Sequence, residues 1–160
     1  MDSFTDLYQK AVGPDTIVSY FLSGHLAVEF LLRKNIEIYD SNLTKISNDL
    51  THAKLIALAF DIGAINEQQK SVLVSINKIR NKFVHRITYI PTISELINLY
   101  QSASKAFTDL SDGISQGLQG LSSVQEVSEI EEWWISELFV QICYDLHEVY
   151  HQNGGDIEDF

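Results

Sequence analysis

The chain has 160 residues, which suits one domain with a hydrophobic core of its own. Hydrophobic residues make up 45% and charged residues 21%, which excludes a disordered chain, and the single cysteine, Cys143, excludes an internal disulfide. Eleven basic against 22 acidic residues give a formal net charge of −11, which is unfavourable for general nucleic-acid binding.

The N-terminal sequence gives no sign of a membrane or export signal. Met1-Asp2-Ser3 lacks the basic segment and apolar run of a signal peptide. No apolar stretch reaches the roughly 18 residues that a membrane span needs. These features predict a soluble, cytoplasmic protein with no membrane association.

Two helices are predicted in the first third of the chain. Residues 3–12 form a short helix that Gly13-Pro14 ends, and Asp15 caps the helix that follows. The second helix runs to about Lys34, because apolar or small residues recur at helical spacing. These residues are Ile17, Phe21, Gly24, Val28 and Leu31.

A polar row follows another face of this second helix. His25, Glu29 and Arg33 stand at i, i+4 spacing. They fit a ladder of ordinary helix pairs, each contributing a few tenths of a kcal/mol. They also fit an arrangement in which Glu29 reaches a neighbouring helix and orients a buried arginine there.

The next segment is predicted to be a loop followed by a helical hairpin. Residues 35–47 form the loop, and Asn48 caps a helix that Gly63 ends. Asn66 caps the following helix, and so short a connection makes the pair antiparallel. The first helix of the hairpin has its apolar face at Leu50, Ala53, Ala57 and Phe60.

The second hairpin helix and its successor have strong signals. Val72, Ile76, Ile79 and Phe83 form an apolar stripe, and Pro91 makes the helix end before Ile90. Thr92 and Glu95 form a capping box that opens the next helix. Its apolar positions are Ile93, Leu96, Tyr100, Ala103, Phe107 and Leu110.

The C-terminal third contains a small, polar stretch and one long helix. Residues 111–123 are interpreted as a flexible connector or a loosely formed helix. The final helix, about 124–152, ends at Gly154-Gly155, and an acidic tail, 153–160, is expected to lack fixed structure. Its apolar stripe is Val127, Ile130, Trp134, Leu138, Ile142, Leu146 and Val149.

The predicted fold is therefore all-α. No segment alternates with the period of a strand, so we expect an antiparallel up-and-down helical bundle with an additional long C-terminal helix. The chain is predicted to be a single domain, 1–160, with its core at about 15–110.

The charge distribution is uneven along the chain. Basic residues gather between Lys70 and Arg86, and no Lys or Arg follows Lys105. This positive segment could guide an anion, or it could match the acidic half of a second copy. The acidic half also fits a simple solvated face.

The candidate functional residues are Arg80, Asn81 and His85. On a helix with 3.6 residues per turn, Asn81 and His85 lie together away from the apolar stripe, and Arg80 lies at its edge. His85 is thus presented to solvent, a partner or a groove. Arg80 and His85 are about 140° apart, so they converge only if the helix bends or a second copy supplies one of them.

Arginine and histidine suit metal-independent cleavage of RNA. A guanidinium can hold a phosphate through two hydrogen bonds, and an imidazole can take the proton of a ribose 2′-hydroxyl. Lys78, Lys82 and Arg86 are candidate substrate-binding cations. The alternative is that Lys82, His85 and Arg86 are cations favoured at a helix C-terminus.

The sequence Ile79-Arg80-Asn81-Lys82-Phe83-Val84-His85 resembles the R-x4-6-H motif of the HEPN superfamily. The preceding stretch from Leu55 to Ile65 is similar to the helix hairpin that leads into that motif, and it also resembles the mannitol operon repressor family. The resemblance covers about residues 50–86 as sequence pattern and 15–110 as architecture.

The resemblance implies a helical homodimer whose two motifs face each other across a cleft. It further implies a metal-independent endoribonuclease, often a toxin or defence effector with a cognate antitoxin, that leaves a 2′,3′-cyclic phosphate. Arg80 would then bind the phosphate, Asn81 would position it or His85, and His85 would act on the 2′-hydroxyl. No cofactor is implied. The alternative is a non-catalytic regulator that binds a protein partner.

Two other patterns lie on the final helix. His147 and His151, with Asp145 and Glu148 nearby, have a spacing that can bind zinc but more often marks a helix end. Trp133-Trp134 could stack on single-stranded nucleic acid, yet Trp134 falls on the apolar stripe and the adjacent Glu131 and Glu132 disfavour RNA.

Overall fold

A computed structural model describes residues 16–158, and it places them in a bundle of α-helices without strands among these residues. The all-α prediction is confirmed. The helix predicted over 3–12, the Asp15 cap and the last two tail residues, 159 and 160, lie outside the described residues. The α-helices are α1 (Thr16–Tyr39), α2 (Thr44–Asp49), α3 (His52–Asp61), α4 (Glu67–His85), α5 (Ile93–Ala106), α6 (Gly113–Ser123) and α7 (Glu132–Gln152).

Helix α1 continues past its predicted end at Lys34, so the loop predicted over 35–47 is wrong. Burial of Asn35 and Ile36 against α7 holds the extra turns. The Asn35 side chain donates to the carbonyl of Leu31 and to that of Leu146, each at 2.9 Å. After Tyr39 the chain forms a 3₁₀ turn and the short helix α2.

Helix α3 starts later than predicted and turns a different face to the core. Its N-cap is Thr51, whereas the predicted cap Asn48 belongs to α2. Ala53 and Ala57 of the predicted apolar face are exposed. The larger apolar area of Leu55 and Ile56 decides the orientation, because burial is worth more for large side chains. The buried residues are His52, Leu55, Ile56 and Ala59.

Capping residues set the ends of the central helices as predicted. Gly63 has φ +78 after α3, which is the left-handed conformation that glycine tolerates. Asn66 and Thr92 each cap their helix within a capping box. Helix α5 ends at Ala106, so Leu110 lies outside it and is 70% exposed, contrary to the prediction.

The stretch 111–123, predicted as a connector or loose helix, contains the helix α6. Its buried face includes Ile114 and Leu121. A Cβ added at Gly117 would lie 2.5 Å from the Tyr100 ring, and one at Gly120 would lie 2.4 Å from the ring of Trp134. The glycines that suggested a flexible connector are thus contact positions for aromatic rings.

Helix α7 begins at Glu132 and not at about residue 124, so Val127 and Ile130 of the predicted stripe lie before it. Within α7, which packs against α1 and α6, the stripe residues Trp134, Leu138, Ile142 and Leu146 are buried. After it, Gly154 has φ +95, and the Gly155 N–H donates to the Tyr150 carbonyl at 3.0 Å. Ile157 lines a cavity between α1 and α7. Within the described part of the tail, 153–158, Gly155 is buried, the other residues are exposed and none is helical, so the expectation of a tail without fixed structure stays a prediction.

Within the described range, none of the helices combines the length and apolar character needed to cross a bilayer.

Candidate functional site

Arg80, Asn81 and His85 lie in different environments on α4. Arg80 and Asn81 are half-buried, and Arg80 Nη1 donates to Asn81 Oδ1 at 3.1 Å. His85 is exposed at the last residue of the helix. The helix runs unbroken from Glu67 to His85, so no helix end lies between Arg80 and His85.

The candidate substrate-binding cations also differ from one another. Lys82 Nζ lies 2.7 Å from Glu95 Oε1 and 4.9 Å from the centre of the Tyr89 ring. The hydrogen bond with Glu95 raises the pKa of Lys82. Lys78 and Arg86 are exposed. Lys82 thus joins α4 to the start of α5, while Lys78 and Arg86 face solvent.

Arg80 and Asn81 line a polar cavity of about 500 Å³ where α1, α3 and α4 meet. Helix α1 contributes residues at i and i+4, α3 its first turn, and α4 a row of polar side chains. We call this space the polar cavity. Its lining residues are His25, Glu29, Leu50, Thr51, His52, Ala53, Asn77, Arg80 and Asn81.

Glu29 is the centre of the hydrogen bonds in this cavity. Its Oε1 accepts from Arg33 Nη2 at 2.7 Å, and its Oε2 lies 3.1 Å from His52 Nδ1. Burial would raise the pKa of Glu29, but the hydrogen bonds from Arg33 and His52 outweigh it and lower that pKa. Glu29 therefore does reach a neighbouring helix, although the residue it meets there is a histidine.

Arg33 extends this network beyond α1. Its guanidinium also donates to the carbonyl of Ser47 and, at 3.4 Å, to that of Leu50. The end of α2 and the chain leading into α3 are thereby tied to α1. The row His25, Glu29, Arg33 is thus part of a tertiary network rather than a surface ladder.

The two histidines of the polar cavity lie ring to ring. The imidazole centres of His25 and His52 are 3.9 Å apart at an angle of 40°. Burial lowers the pKa of His25 to about 4, and repulsion from His52 when that ring is protonated, and from Arg80, adds to the effect. Burial also lowers the pKa of His52, although Glu29 opposes this. Both rings are therefore neutral at pH 7.

Several buried nitrogens of this cluster have no hydrogen-bond partner within residues 16–158. They are His25 Nε2, His52 Nε2 and Arg80 Nε. The ionised Glu29 can only accept, so His52 Nδ1 carries the proton in their contact and His52 Nε2 carries a lone pair. An unpartnered buried polar atom costs about 1–3 kcal/mol. Because proteins accept such costs mainly at functional sites, this cluster is a candidate functional site.

The same cluster has the side chains of a cation site. One candidate ligand atom from each of His25, Glu29 and His52 lies within 4.8 Å of the others. Among the described residues this is the one group of three with that property, and it does not include His147 or His151. His151 Nδ1 instead lies 3.2 Å from the Gly155 carbonyl oxygen, at the end of α7.

The tryptophan pair divides between core and surface. Trp134 is 6% exposed, while Trp133 is 43% exposed and its indole N–H donates to Glu131. Trp134 is therefore a core residue, and the carboxylate beside Trp133 disfavours an RNA phosphate there.

Sequence reasoning missed His52 and the role of His25 beside Arg80. His52 is 27 residues from His25 and 28 from Arg80 in the chain, so no local spacing connects them. The one available signal was His25-x₃-Glu29, which places an imidazole and a carboxylate on one helix face.

Comparisons of the chain with protein-family models, with characterised proteins and with solved structures give no match. What the polar cavity can do is therefore inferred from the chemistry of its own side chains.

Proposed function

We propose that this chain is a metal-independent endoribonuclease of the HEPN type that acts as a homodimer. The observation that supports it best is the position of Arg80, which lines a polar cavity while held by Asn81. His85 is exposed one turn further along the same helix. An anion-binding group and an imidazole are thus both presented on α4.

In this mechanism Arg80 binds the scissile phosphate. Its guanidinium can give two parallel hydrogen bonds to phosphate oxygens and offset the negative charge that develops on them. Asn81 fixes the guanidinium through the 3.1 Å bond to its Oδ1. The guanidinium is therefore ordered before the substrate binds, so binding costs it little conformational entropy.

His85 removes the proton of the ribose 2′-hydroxyl. The 2′-oxygen then forms a bond to phosphorus, and the bond to the 5′-oxygen breaks as that oxygen takes a proton from water. His85 afterwards releases its proton to solvent. The products are a 2′,3′-cyclic phosphate and a 5′-hydroxyl. Lys78 and Arg86, which are both exposed, contact neighbouring phosphates.

A second copy brings His85 towards Arg80 of the first. The two residues are five positions apart on an unbroken helix, which separates their side chains around the axis. Val84, Ile87 and Ile90 are 51%, 47% and 55% exposed. These apolar side chains beside His85 suit an interface between two copies.

A second candidate function is that of a non-catalytic regulator that binds a protein partner, in the manner implied by the resemblance to the mannitol operon repressor family. The same exposed side chains, Val84, Ile87 and Ile90, favour it, because apolar patches of this kind also bind other proteins. A toxin with a cognate antitoxin would combine both functions on one surface.

The deciding experiment is induced expression of the wild type, Arg80→Ala and His85→Ala, with RNA cleavage assayed in EDTA. Wild type is expected to arrest growth and cleave RNA, and both variants to lose these effects. His151→Ala, which changes a histidine on α7, is the matched control and should keep activity. Wild-type protein that is harmless and cleaves no RNA would favour the regulator, and a monomer in light scattering would exclude the shared cleft.

A further inference from the structure

We propose that His25, Glu29 and His52 form a binding site for one divalent transition-metal ion of the zinc type. The proposal does not rest on the ribonuclease function, which needs only Arg80, Asn81 and His85. It rests on the donor set, the distances among the three side chains and the burial of the two imidazoles.

The donor set is of the kind that zinc selects. Two imidazoles and one carboxylate provide three protein ligands and leave a fourth position open. His25 and Glu29 come from one face of α1, and His52 comes from the first turn of α3. The three ligands thus join two helices, so the metal would link them.

The distances are close to those of a metal centre. Zinc bonds of about 2.0–2.1 Å in a tetrahedron separate neighbouring ligand atoms by about 3.3 Å. Glu29 Oε2 and His52 Nδ1 are already 3.1 Å apart. The widest separation in the set is at most 4.8 Å, so side-chain rotations must close the cluster by roughly 1.5 Å.

The protonation states also suit a metal. An imidazole binds a metal through a nitrogen that has lost its proton, and His52 Nδ1 shares one proton with Glu29 Oε2. The proton shared by Glu29 and His52 would be displaced when the metal binds. Arg33 would remain on Glu29 Oε1, where it fixes the carboxylate for coordination through Oε2.

The burial of its two histidines distinguishes this cluster from a chance group of surface side chains. His25 is 2% exposed and His52 is 8% exposed, and the Nε2 of each lacks a partner within the described part of the chain. Buried nitrogens without a partner are costly, which distinguishes this cluster from an ordinary group of core side chains.

The positive charge of Arg80 opposes the metal. Arg80 lines the same cavity as the three proposed ligands, so its positive charge disfavours a bound cation there. The Arg80→Ala variant should therefore bind metal at least as tightly as the wild type. This expectation separates the metal site from the ribonuclease, because the same variant is expected to lose cleavage.

The test is titration of the EDTA-stripped, full-length protein with Co²⁺ and Zn²⁺. We expect one equivalent of Co²⁺ with the visible spectrum of a tetrahedral site, displaced by Zn²⁺, and a rise in Tm with Zn²⁺. His25→Ala, His52→Ala and Glu29→Gln should each weaken binding by about tenfold or more. The double variant His147→Ala/His151→Ala is the matched control and should bind as the wild type does.

Wild-type protein that binds no metal at micromolar concentration would overturn the proposal, whether or not any variant folds. Binding that persists unchanged in Glu29→Gln, or that disappears in the His147→Ala/His151→Ala control, would place the metal elsewhere and overturn it equally. Glu29→Gln keeps the shape of the side chain, so it remains informative if the histidine variants fold poorly. Loss of cleavage in His85→Ala with metal binding intact would confirm that the two sites are separate.

Discussion

Helix α1 separates two cavities of opposite character. On one side is the polar cavity of about 500 Å³, with His25, Glu29 and Arg80 in its wall. On the other is an apolar cavity of about 630 Å³ between α1 and α7, whose wall includes Gly24 and Phe139. The apolar wall is held by packing, which has no preferred direction, and the polar wall by directed hydrogen bonds to charged groups.

The apolar side of α1 and its polar side therefore contribute differently to stability and to binding. Close contact of α1 with α7 is a matter of stability, since it buries aromatic rings such as Phe21 and Phe139. The polar side leaves buried nitrogens of His25, His52 and Arg80 without partners within residues 16–158, which costs stability. Variants on the apolar side should therefore change the fold most, and variants on the polar side should change binding most.

The largest expected effect is that of Phe139→Ala. Phe139 is 3% exposed and meets Phe21 edge to face, with ring centres 5.1 Å apart. Removing the ring leaves a cavity and should lower the free energy of unfolding by about 3–5 kcal/mol, measured by urea denaturation. The neighbouring Val140→Ala, at a position 36% exposed, is the control and should cost less than about 1 kcal/mol.

Gly24→Ala should have the next largest effect. A Cβ at Gly24 would lie 2.1 Å from Phe139 Cγ, so α1 and α7 must move apart. We expect a loss of about 2–3 kcal/mol in the free energy of unfolding, despite the better helix propensity of alanine. The double variant Gly24→Ala/Phe139→Ala should lose less than the sum of its single variants. Strict additivity would contradict this contact.

On the polar side, Glu29→Gln should lower the free energy of unfolding by about 1–2 kcal/mol. The change keeps the shape of the side chain but removes the charge that holds Arg33 and His52. Glu37→Gln is the control, because Glu37 is 43% exposed and meets Lys34 in its ion pair, at 3.4 Å, and the change should cost at most about 0.5 kcal/mol. Equal losses in the free energy of unfolding would mean that the contacts of Glu29 stabilise the protein no more than a surface ion pair does.

The smallest expected change in stability is that of His85→Ala. His85 is exposed at the end of α4, so its loss should alter the free energy of unfolding by less than about 0.5 kcal/mol. RNA cleavage should nevertheless disappear. A large loss of stability would instead explain any lost cleavage by unfolding, which urea denaturation of the same preparation would reveal.

The sequence was sufficient to predict helix ends where the local backbone strongly favours one residue type. Asn66, Thr92 and Gly63 occupy helix ends as predicted, because capping and positive φ depend on a few neighbouring atoms. The predicted end of α1 and the predicted buried face of α3 were wrong for the same reason. The end of α1 and the face of α3 depend on Asn35 and Leu55, which are held by contacts with distant segments.

Part of the geometry of the candidate site could also be predicted from the sequence. The spacing of Arg80, Asn81 and His85 predicted that arginine and histidine diverge around the helix, and the unbroken α4 keeps them five residues apart. The shared cleft between two copies stays a prediction. The approach of His52 to His25 could not be predicted, since a contact over 27 residues follows from helix packing and not from spacing.

By itself, the sequence determined the all-α class, the caps and the apolar stripes of α4, α5 and α7, because these depend on periodicity and on neighbouring backbone groups. Only the tertiary structure decided that α6 packs as a helix against Tyr100 and Trp134, and that His25, Glu29 and His52 meet beside Arg80. The physical reason is the same in both cases. Close packing selects one arrangement of whole helices, and the side chains that it brings together can be far apart in the chain.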